Sequence, residues 1–233
     1  MKTIGILGGM SPESTATYYK TLNALTRERL GGYASAQILL YSVNFADTHA
    51  AQLAGDWDGI GQDLAAAAAR LERAGADLIL LATNTMHKCA PAIEAAIDLP
   101  FLHIGETCAA RLIADHRQRP ALLGTAFTME EDFYTARLEA SGLSPVIPDA
   151  AQRADIHAII FDELVHGVTN NTSRARYIEI VADLAARGAD SVILGCTEIG
   201  MLLNQDNSPL PPYDTAHIHC QAAIEMALEW TKR

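Results

Sequence analysis

Cys196 is the strongest candidate for chemistry in this 233-residue chain, because it opens a polar cluster, Cys196-Thr197-Glu198, at the end of an apolar run. A thiol at the start of a helix lies among free backbone N–H groups that stabilise its thiolate, so its pKa can fall and it can serve as a base or nucleophile. A second cluster, Thr83-Asn84-Thr85, ends another apolar run. Hydroxyls and amides beside a helix N-terminus suit a carboxylate, donating hydrogen bonds where the dipole already favours an anion. Two acid/base groups placed around one carbon would suit inversion of a stereocentre, one removing a proton and the other returning one from the opposite face. A lone cysteine at a strand end is ordinarily a small hydrophobe; the second, matching cluster is what argues for chemistry here.

Both clusters hold the same place in two stretches that copy each other, LERAGADLILLATNTM at 71–86 and LAARGADSVILGCTEI at 184–199. Aligning Gly75 with Gly188 and Asp77 with Asp190 sets Thr83 opposite Cys196, Asn84 opposite Thr197 and Thr85 opposite Glu198. The separation is far longer than a solenoid repeat, which suggests two duplicated lobes. Each copy reads as a helix ended by a glycine, then a strand buried on both faces, then the polar cluster at the strand's carboxyl end. In open parallel sheets that edge is where ligands bind, so facing lobes would aim Thr83 and Cys196 at a common cleft. The segment Pro120 to Thr125 echoes Ile4 to Gly9, extending the duplication.

The expected fold is therefore α/β, with a first lobe of residues 1–104 plus 209–233 and a second of 105–208. The last strand, near residue 210, is expected to return to the first sheet. The pattern predicts helices at 12–30, 60–74 (capped by Gly75), 86–97, 106–116, 128–140, 149–165, 173–187 and 215–230. It predicts strands at 2–7, 36–43, 77–82, 99–104, 120–124 and 144–147, besides the one leading to Cys196. Thr128 with Glu131 reads as a capping box opening the helix at 128–140.

The remaining polar residues carry less. The Gly8-Gly9 turn matches neither GxGxxG nor the GxxxxGK[ST] phosphate loop, and reads as a tight turn or as backbone donors for a small anion. Asn44, Asp47, His49 and Gln52 form no motif by themselves. His87 and Lys88 fall in a first helical turn, where the dipole disfavours positive charge, so something must reward them or they are exposed. Cys89 reads as packing, and His103 as a satisfied core histidine or a site residue.

Composition narrows the function classes. A formal charge of −11 without Lys/Arg clusters argues against nucleic acid or an anionic membrane as partner. A hydrophobic content of 49% is ample for real cores, yet no apolar stretch approaches a membrane span. The opening MKTIGILGG is too short in apolar residues for a signal peptide, which points to a cytoplasmic protein. Cys89, Cys108, Cys196 and Cys220 include no CxxC pair, so neither a metal site nor a disulfide framework follows, and reduced thiols are expected.

The motifs GGMSPEST at 8–15, ATNTMHK at 82–88 and LGCTEI at 194–199, with DTAHIH at 214–219 in support, resemble the cofactor-independent aspartate/glutamate racemase family over nearly the whole chain. The resemblance implies two pseudo-symmetric Rossmann-like lobes, each a mostly parallel sheet flanked by helices, with an active site between them. It also implies racemisation of an amino acid without pyridoxal phosphate, and a homodimer. Many members place cysteine in both clusters, whereas this chain has Thr83 in the first. It looks most like the L-aspartate/glutamate-specific subgroup that pairs threonine with cysteine. By that resemblance Thr83 and Cys196 are the catalytic pair, and Asn84, Thr85 and Thr197 hold the substrate's α-amino and α-carboxylate groups. Met10 and Gln52 line the pocket, and Glu198 orients or tunes the cysteine. A related single-cysteine enzyme, such as a hydantoin racemase, isomerase or decarboxylase, and a non-catalytic amino-acid-binding protein are the competing readings. The loops offer an acidic side chain no Lys or Arg apart from Arg174 and Arg176, which leaves room for a less acidic substrate.

Overall fold

The two Gly-Ala-Asp segments fold alike, and each explains its own glycine and aspartate. The structure, a computed structural model, describes residues 1–229. It divides into two units, one of Met1–Ile104 with the chain from His219 onward, the other of Gly105–Ile218. In the first, β1 (Ile4–Gly8) leads to α1 (Pro12–Leu30), β2 (Ile38–Ser42), α2 (Phe45–Ala54), α3 (Trp57–Arg73) and β3 (Leu78–Leu81), then a 3₁₀ turn at Thr85–Cys89, α4 (Ala90–Glu94) and β4 (Phe101–Leu102). The four strands form one parallel sheet in the order β2-β1-β3-β4. Every residue of β1 and β3 is buried, as a parallel strand covered on both faces requires. Helix α3 supplies much of that cover. Ile60, Leu64, Ala67, Ala68 and Leu71 recur at helical spacing and pack with Leu7, Ile79 and Leu81. Each such fully buried Leu or Ile stabilises the unit by about 2 kcal/mol relative to exposure.

The second unit repeats the scheme on a smaller sheet. After α5 (Ile104–Ala114), which begins at the last residue of the first unit, come β5 (Pro120–Gly124), α6 (Ala126–Glu130), α7 (Asp132–Ala140), α8 (Ala150–Asp162) and α9 (Asn171–Ala186). Then follow β6 (Ser191–Gly195), β7 (Pro212–Asp214) and α10 (Thr215–Glu229), which from His219 onward belongs to the first unit. The sheet is parallel in the order β5-β6-β7. Its core gathers Leu123, Val192 and Leu194 from the strands with Ile156 and Ile160 of α8 and Tyr177, Ile180 and Leu184 of α9.

Glycine ends α3 and α9 for the same reason. Gly75 (φ +98°) and Gly188 (φ +90°) lie in the left-handed region that lacks a Cβ penalty only for glycine. In each, the glycine N–H bonds back to Glu72 or Ala185, and the following alanine N–H reaches Leu71 or Leu184, closing a Schellman motif. The glycine thus stands one residue past the cap, which is Ala74 or Arg187. The aspartate then pins the neighbouring strand. Asp77 Oδ2 accepts from the Thr3 N–H at 2.8 Å before β1, and Asp190 Oδ2 accepts from the Gln118 and Arg119 N–H groups at 2.7 and 3.0 Å before β5.

Several elements differ from the sequence expectation. The helix expected at 86–97 is a 3₁₀ turn followed by the five residues of α4, because Pro91 has no N–H to give a continuous helix. The helix expected at 128–140 is two helices. Thr125, not Thr128, caps the first, its Oγ1 accepting from the Thr128 N–H, and the chain is extended at Glu131 between them. Thr128 is fully buried, and the capping box of this unit is at Asp149 and Gln152. Residues 144–147 make one bridge, Ala121 to Val146, rather than a strand. Helix α8 stops at Asp162, and a 3₁₀ turn at Leu164–His166 follows. The closing strand β7 pairs with β6 of the second sheet, not with the first, so the chain returns to the first unit at His219 rather than near 209. β6 offers β7 a free edge, and the Tyr213 hydroxyl on β7 donates to Asp115 Oδ2 of the same unit at 3.0 Å. The described part of α10 ends at Glu229; the expected end at Trp230 lies outside the described residues. Among the described residues no helix is long and apolar enough to cross a membrane.

Candidate functional site

In the second unit, β6 ends at Gly195 and the chain passes through Cys196 in extended conformation into a 3₁₀ turn, Thr197–Met201, so the cluster stands at the carboxyl edge of the sheet. The Ile199 N–H bonds the Cys196 carbonyl at 3.1 Å, which holds the turn closed. Within it Glu198 folds back over its own predecessors. Its Oε2 accepts from the Cys196 thiol at 3.0 Å and from the Thr197 hydroxyl at 2.6 Å. Cys196, Thr197 and Glu198 all keep partial exposure.

This geometry reverses the expected electrostatics of the thiol. Removal from bulk water and the adjacent Glu198 carboxylate hold the Cys196 thiol well above the ordinary cysteine range. A five-residue 3₁₀ turn offers little dipole to set against a carboxylate at 3.0 Å. The resting group is a thiol donating to a carboxylate, with a proton acceptor already in contact.

In the first unit the chain leaves β3 at Leu81 and turns at once, with the Ala82 N–H on the Leu7 carbonyl and the Thr83 N–H on the Leu81 carbonyl, both at 2.9 Å. Thr83 is partly exposed, and its hydroxyl has no hydrogen-bond partner among the described residues. Asn84 and Thr85 are buried behind it. The turn after β1 is tied to this loop. Gly9 N–H donates to Thr15 Oγ1 at 2.8 Å, Ser11 caps α1, and Ser14 Oγ donates to the Ala82 carbonyl at 3.0 Å. Met10 is buried in that turn. The structure therefore brings Met10, Thr83, Asn84 and Thr85 to one edge of the first sheet. Gln52 comes from α2, buried, with no hydrogen bond to its side-chain amide among the described residues.

Histidines form the part of the first unit that the sequence does not reveal. His87, His103 and His219 are each at most 2% exposed. His87 Nδ1 donates to the Thr83 carbonyl at 2.7 Å and its Nε2 accepts the Ile104 N–H at 3.1 Å. The His87 ring packs against His103 and His219 at centroid distances of 4.6 and 5.9 Å. Burial, then the neighbouring His103 and His219, push the His87 pKa well below the usual imidazole range, so the dipole penalty on a positive charge in this turn never arises. Lys88 is rewarded separately, with its ammonium 4.0 Å above the Trp57 ring. Cys89 packs in the core, where burial lifts its thiol to about 11. The sequence singles out His87, His103 and, in the tail motif, His219 one by one, with no sign that the three meet.

Cationic partners for an acidic side chain are few. Arg176 is engaged with Asp155 and Glu179, and Arg174 with Asn171. A cavity of about 260 Å³ opens in the first unit beside Ser42, Asn44, Asp47, Thr48, Asp63 and Arg70, and none of the expected site residues lines it.

Comparison with known proteins identifies the family. The Asp/Glu/Hydantoin racemase family model matches residues 7–223. The chain is 43% identical to a candidate Asp/Glu racemase of Yersinia pestis, covering 98% of this chain and 100% of that one with a TM-score of 0.93. It is 36% identical to an aspartate racemase homologue of Pyrococcus horikoshii OT3, covering 97% and 99% with a TM-score of 0.87. It is also 24% identical to RacX, a broad specificity amino-acid racemase of Bacillus subtilis (strain 168), over 97% of this chain and 99% of that protein. With the family pattern spanning all but the ends, and the fold shared along its whole length with the Yersinia and Pyrococcus proteins, the chain belongs to the Asp/Glu/Hydantoin racemase family.

Proposed function

We propose that the protein is an amino-acid racemase that needs no pyridoxal phosphate and inverts the α-carbon of L-aspartate or L-glutamate, with Thr83 and Cys196 as acid/base groups on its two faces. The observation that carries the reading is the Cys196 thiol donating to Glu198 Oε2 at 3.0 Å at the carboxyl end of β6. A thiol with a carboxylate in contact can pass its proton to that carboxylate and act as base. Glu198 takes the thiol proton, the Cys196 thiolate removes the α-hydrogen, and the electron pair left on the α-carbon spreads into the substrate carboxylate. Thr83 then delivers its hydroxyl proton to the opposite face and is reprotonated from solvent, to which Glu198 releases the proton it took. Asn84, Thr85 and Thr197 hold the α-amino and α-carboxylate groups, and Met10 and Gln52 wall the pocket.

The two faces are unequal. A hydroxyl is a far weaker acid than a thiol, and Thr83 has no proton acceptor in contact among the described residues, so it donates more readily than it abstracts. Net rates in the two directions differ, while the equilibrium stays that of the free enantiomers. For the side-chain carboxylate the local arginines are already engaged, and the relatives include a broad specificity racemase, so neutral amino acids belong in the assay. A cytoplasmic homodimer is the working assembly, tested by light scattering.

The deciding experiment follows the α-hydrogen by proton NMR in deuterated buffer with aspartate, glutamate and several neutral amino acids. Exchange and inversion are expected with an acidic amino acid, both abolished in Cys196→Ala, and Thr83→Cys preserves or improves turnover. Racemisation surviving Cys196→Ala would remove the assigned role. Binding without exchange would favour an amino-acid-binding protein, and hydantoin turnover alone a related racemase.

A further inference from the structure

The Thr83 hydroxyl differs from the Cys196 thiol in what orients it. Glu198 grips the thiol through a side-chain hydrogen bond. No such grip reaches the Thr83 hydroxyl among the described residues, so the place where it presents its proton is set by the backbone of its loop. That backbone is held in an unusual way. A helix starting here would close the Thr83 carbonyl with the His87 N–H, but in this 3₁₀ turn the His87 N–H bonds the Asn84 carbonyl at 3.1 Å instead. The Thr83 carbonyl is thereby released from the ladder, and the His87 side chain takes it, with Nδ1 at 2.7 Å. The same imidazole accepts at Nε2 the N–H of Ile104, the first residue of α5, where a helix leaves its amides unsatisfied.

Because a carbonyl only accepts and an amide only donates, these two bonds fix the tautomer, with the proton on Nδ1. The ring is 1% exposed and walled by His103, His219 and Phe101, so a side chain that cannot make these bonds breaks both of them in a dry site. In the second repeat the position aligned with His87 is Gly200, which has no side chain to bond the Cys196 carbonyl; the Ile199 N–H does so instead. The imidazole clamp belongs to the threonine side alone.

We propose that His87 is a positioning residue that fixes the Thr83 loop, and with it the direction from which the Thr83 hydroxyl gives its proton to substrate. This rests on the reading of Thr83 as a catalytic acid, and the test separates the two. For the enantiomer whose α-hydrogen faces Cys196, removal by the thiolate has two outcomes in deuterated buffer. Return from Cys196, once its S–H has traded with solvent deuterium, gives exchange with retention, and delivery from Thr83 gives inversion. The ratio of inversion to exchange with retention therefore reads the threonine side without the cysteine side.

Two variants cut one bond each. His87→Asn keeps an N–H near Nδ1, toward the Thr83 carbonyl, and gives up Ile104. His87→Gln keeps an acceptor near Nε2, toward Ile104, and gives up Thr83. The expected result is that His87→Gln lowers the ratio by about tenfold or more, the scale of an ångström-sized misplacement of a catalytic group. His87→Asn stays near the parent ratio, and both variants keep exchange with retention. Equal ratios in the two variants and the parent, or equal loss of exchange and inversion in both, would overturn the positioning role. Thr83→Ala run alongside decides the underlying reading. If it inverts like the parent, the Thr83 assignment fails whatever the His87 variants do. If it exchanges without inverting while His87→Gln matches the parent, only the His87 proposal fails.

Discussion

Acid should destabilise the first unit through its buried imidazoles, and His219 allows the size of the effect to be worked out. The Leu102 carbonyl, 2.8 Å from Nε2, can only accept, so the proton sits on Nε2 and the Tyr18 hydroxyl donates to Nδ1 at 2.9 Å. The ring is fully buried, and burial holds its pKa down to about 4 against an ordinary 6.5. As pH falls the unfolded chain takes up this proton first. Stability is therefore complete above the unfolded value and is lost as pH drops from about 6.5 toward 4. The whole drop corresponds to about 3 kcal/mol, and roughly 2 kcal/mol of it falls between about pH 7 and pH 5, before most carboxylates titrate. His87, with His103 and His219 facing it, is depressed in the same direction and steepens the slope. Urea midpoints of the parent and of His219→Gln at those two pH values measure the effect. The parent is expected to lose about 2 kcal/mol more than the variant over the interval. Equal losses, or a His219 ring signal titrating at the ordinary value by NMR, would refute the argument.

Three further outcomes follow from the geometry. Glu198→Gln removes the carboxylate beside the thiol, so the Cys196 pKa falls toward the ordinary range and iodoacetamide labels it faster near neutral pH, while turnover drops by about a hundredfold for want of a proton acceptor. Asp149→Ala breaks the capping box of α8 and should cost about 1 kcal/mol in urea unfolding, with catalytic constants unchanged. Gly9→Ala combines a φ of +95° with a Cβ 2.3 Å from the Val43 carbonyl oxygen, and should leave little folded protein by circular dichroism.

The parts of the fold that were legible in the sequence are those governed by local rules. Gly75 and Gly188 mark helix ends because only glycine tolerates the left-handed backbone there, and the runs after Asp77 and Asp190 are apolar on both faces because the parallel strands they form are covered twice. The errors arose where a remote partner or a competing local bond decided the outcome. Pro91 was visible and ends the helical reading at 86–97, yet the 3₁₀ turn before it also answers to His87. Thr125 displaced Thr128 as a cap, since its hydroxyl takes the Thr128 N–H and lies 3.2 Å from the Thr128 hydroxyl. The pairing of β7 with β6 depends on which sheet offers an edge, and no periodicity carries that. In the site, Cys196 and Thr83 stood out by their twin placement. The proton affinity of the thiol did not, because it turns on Glu198 folding back two residues, a detail of side-chain geometry. The imidazole cluster joins His87 and His103 to His219 in the tail, with Tyr18 from near the start against the His219 ring.

The hydrogen bond from Cys196 to Glu198 has a consequence for durability beside its proposed part in turnover. Peroxides and disulfides attack the deprotonated sulfur, so a cysteine kept protonated between cycles is a slow target for sulfenic acid formation and mixed-disulfide capture. On the proposed cycle the sulfur is deprotonated only while substrate is bound. An enzyme built this way can work through oxidative stress that would silence a neighbour whose sulfur rests as the anion.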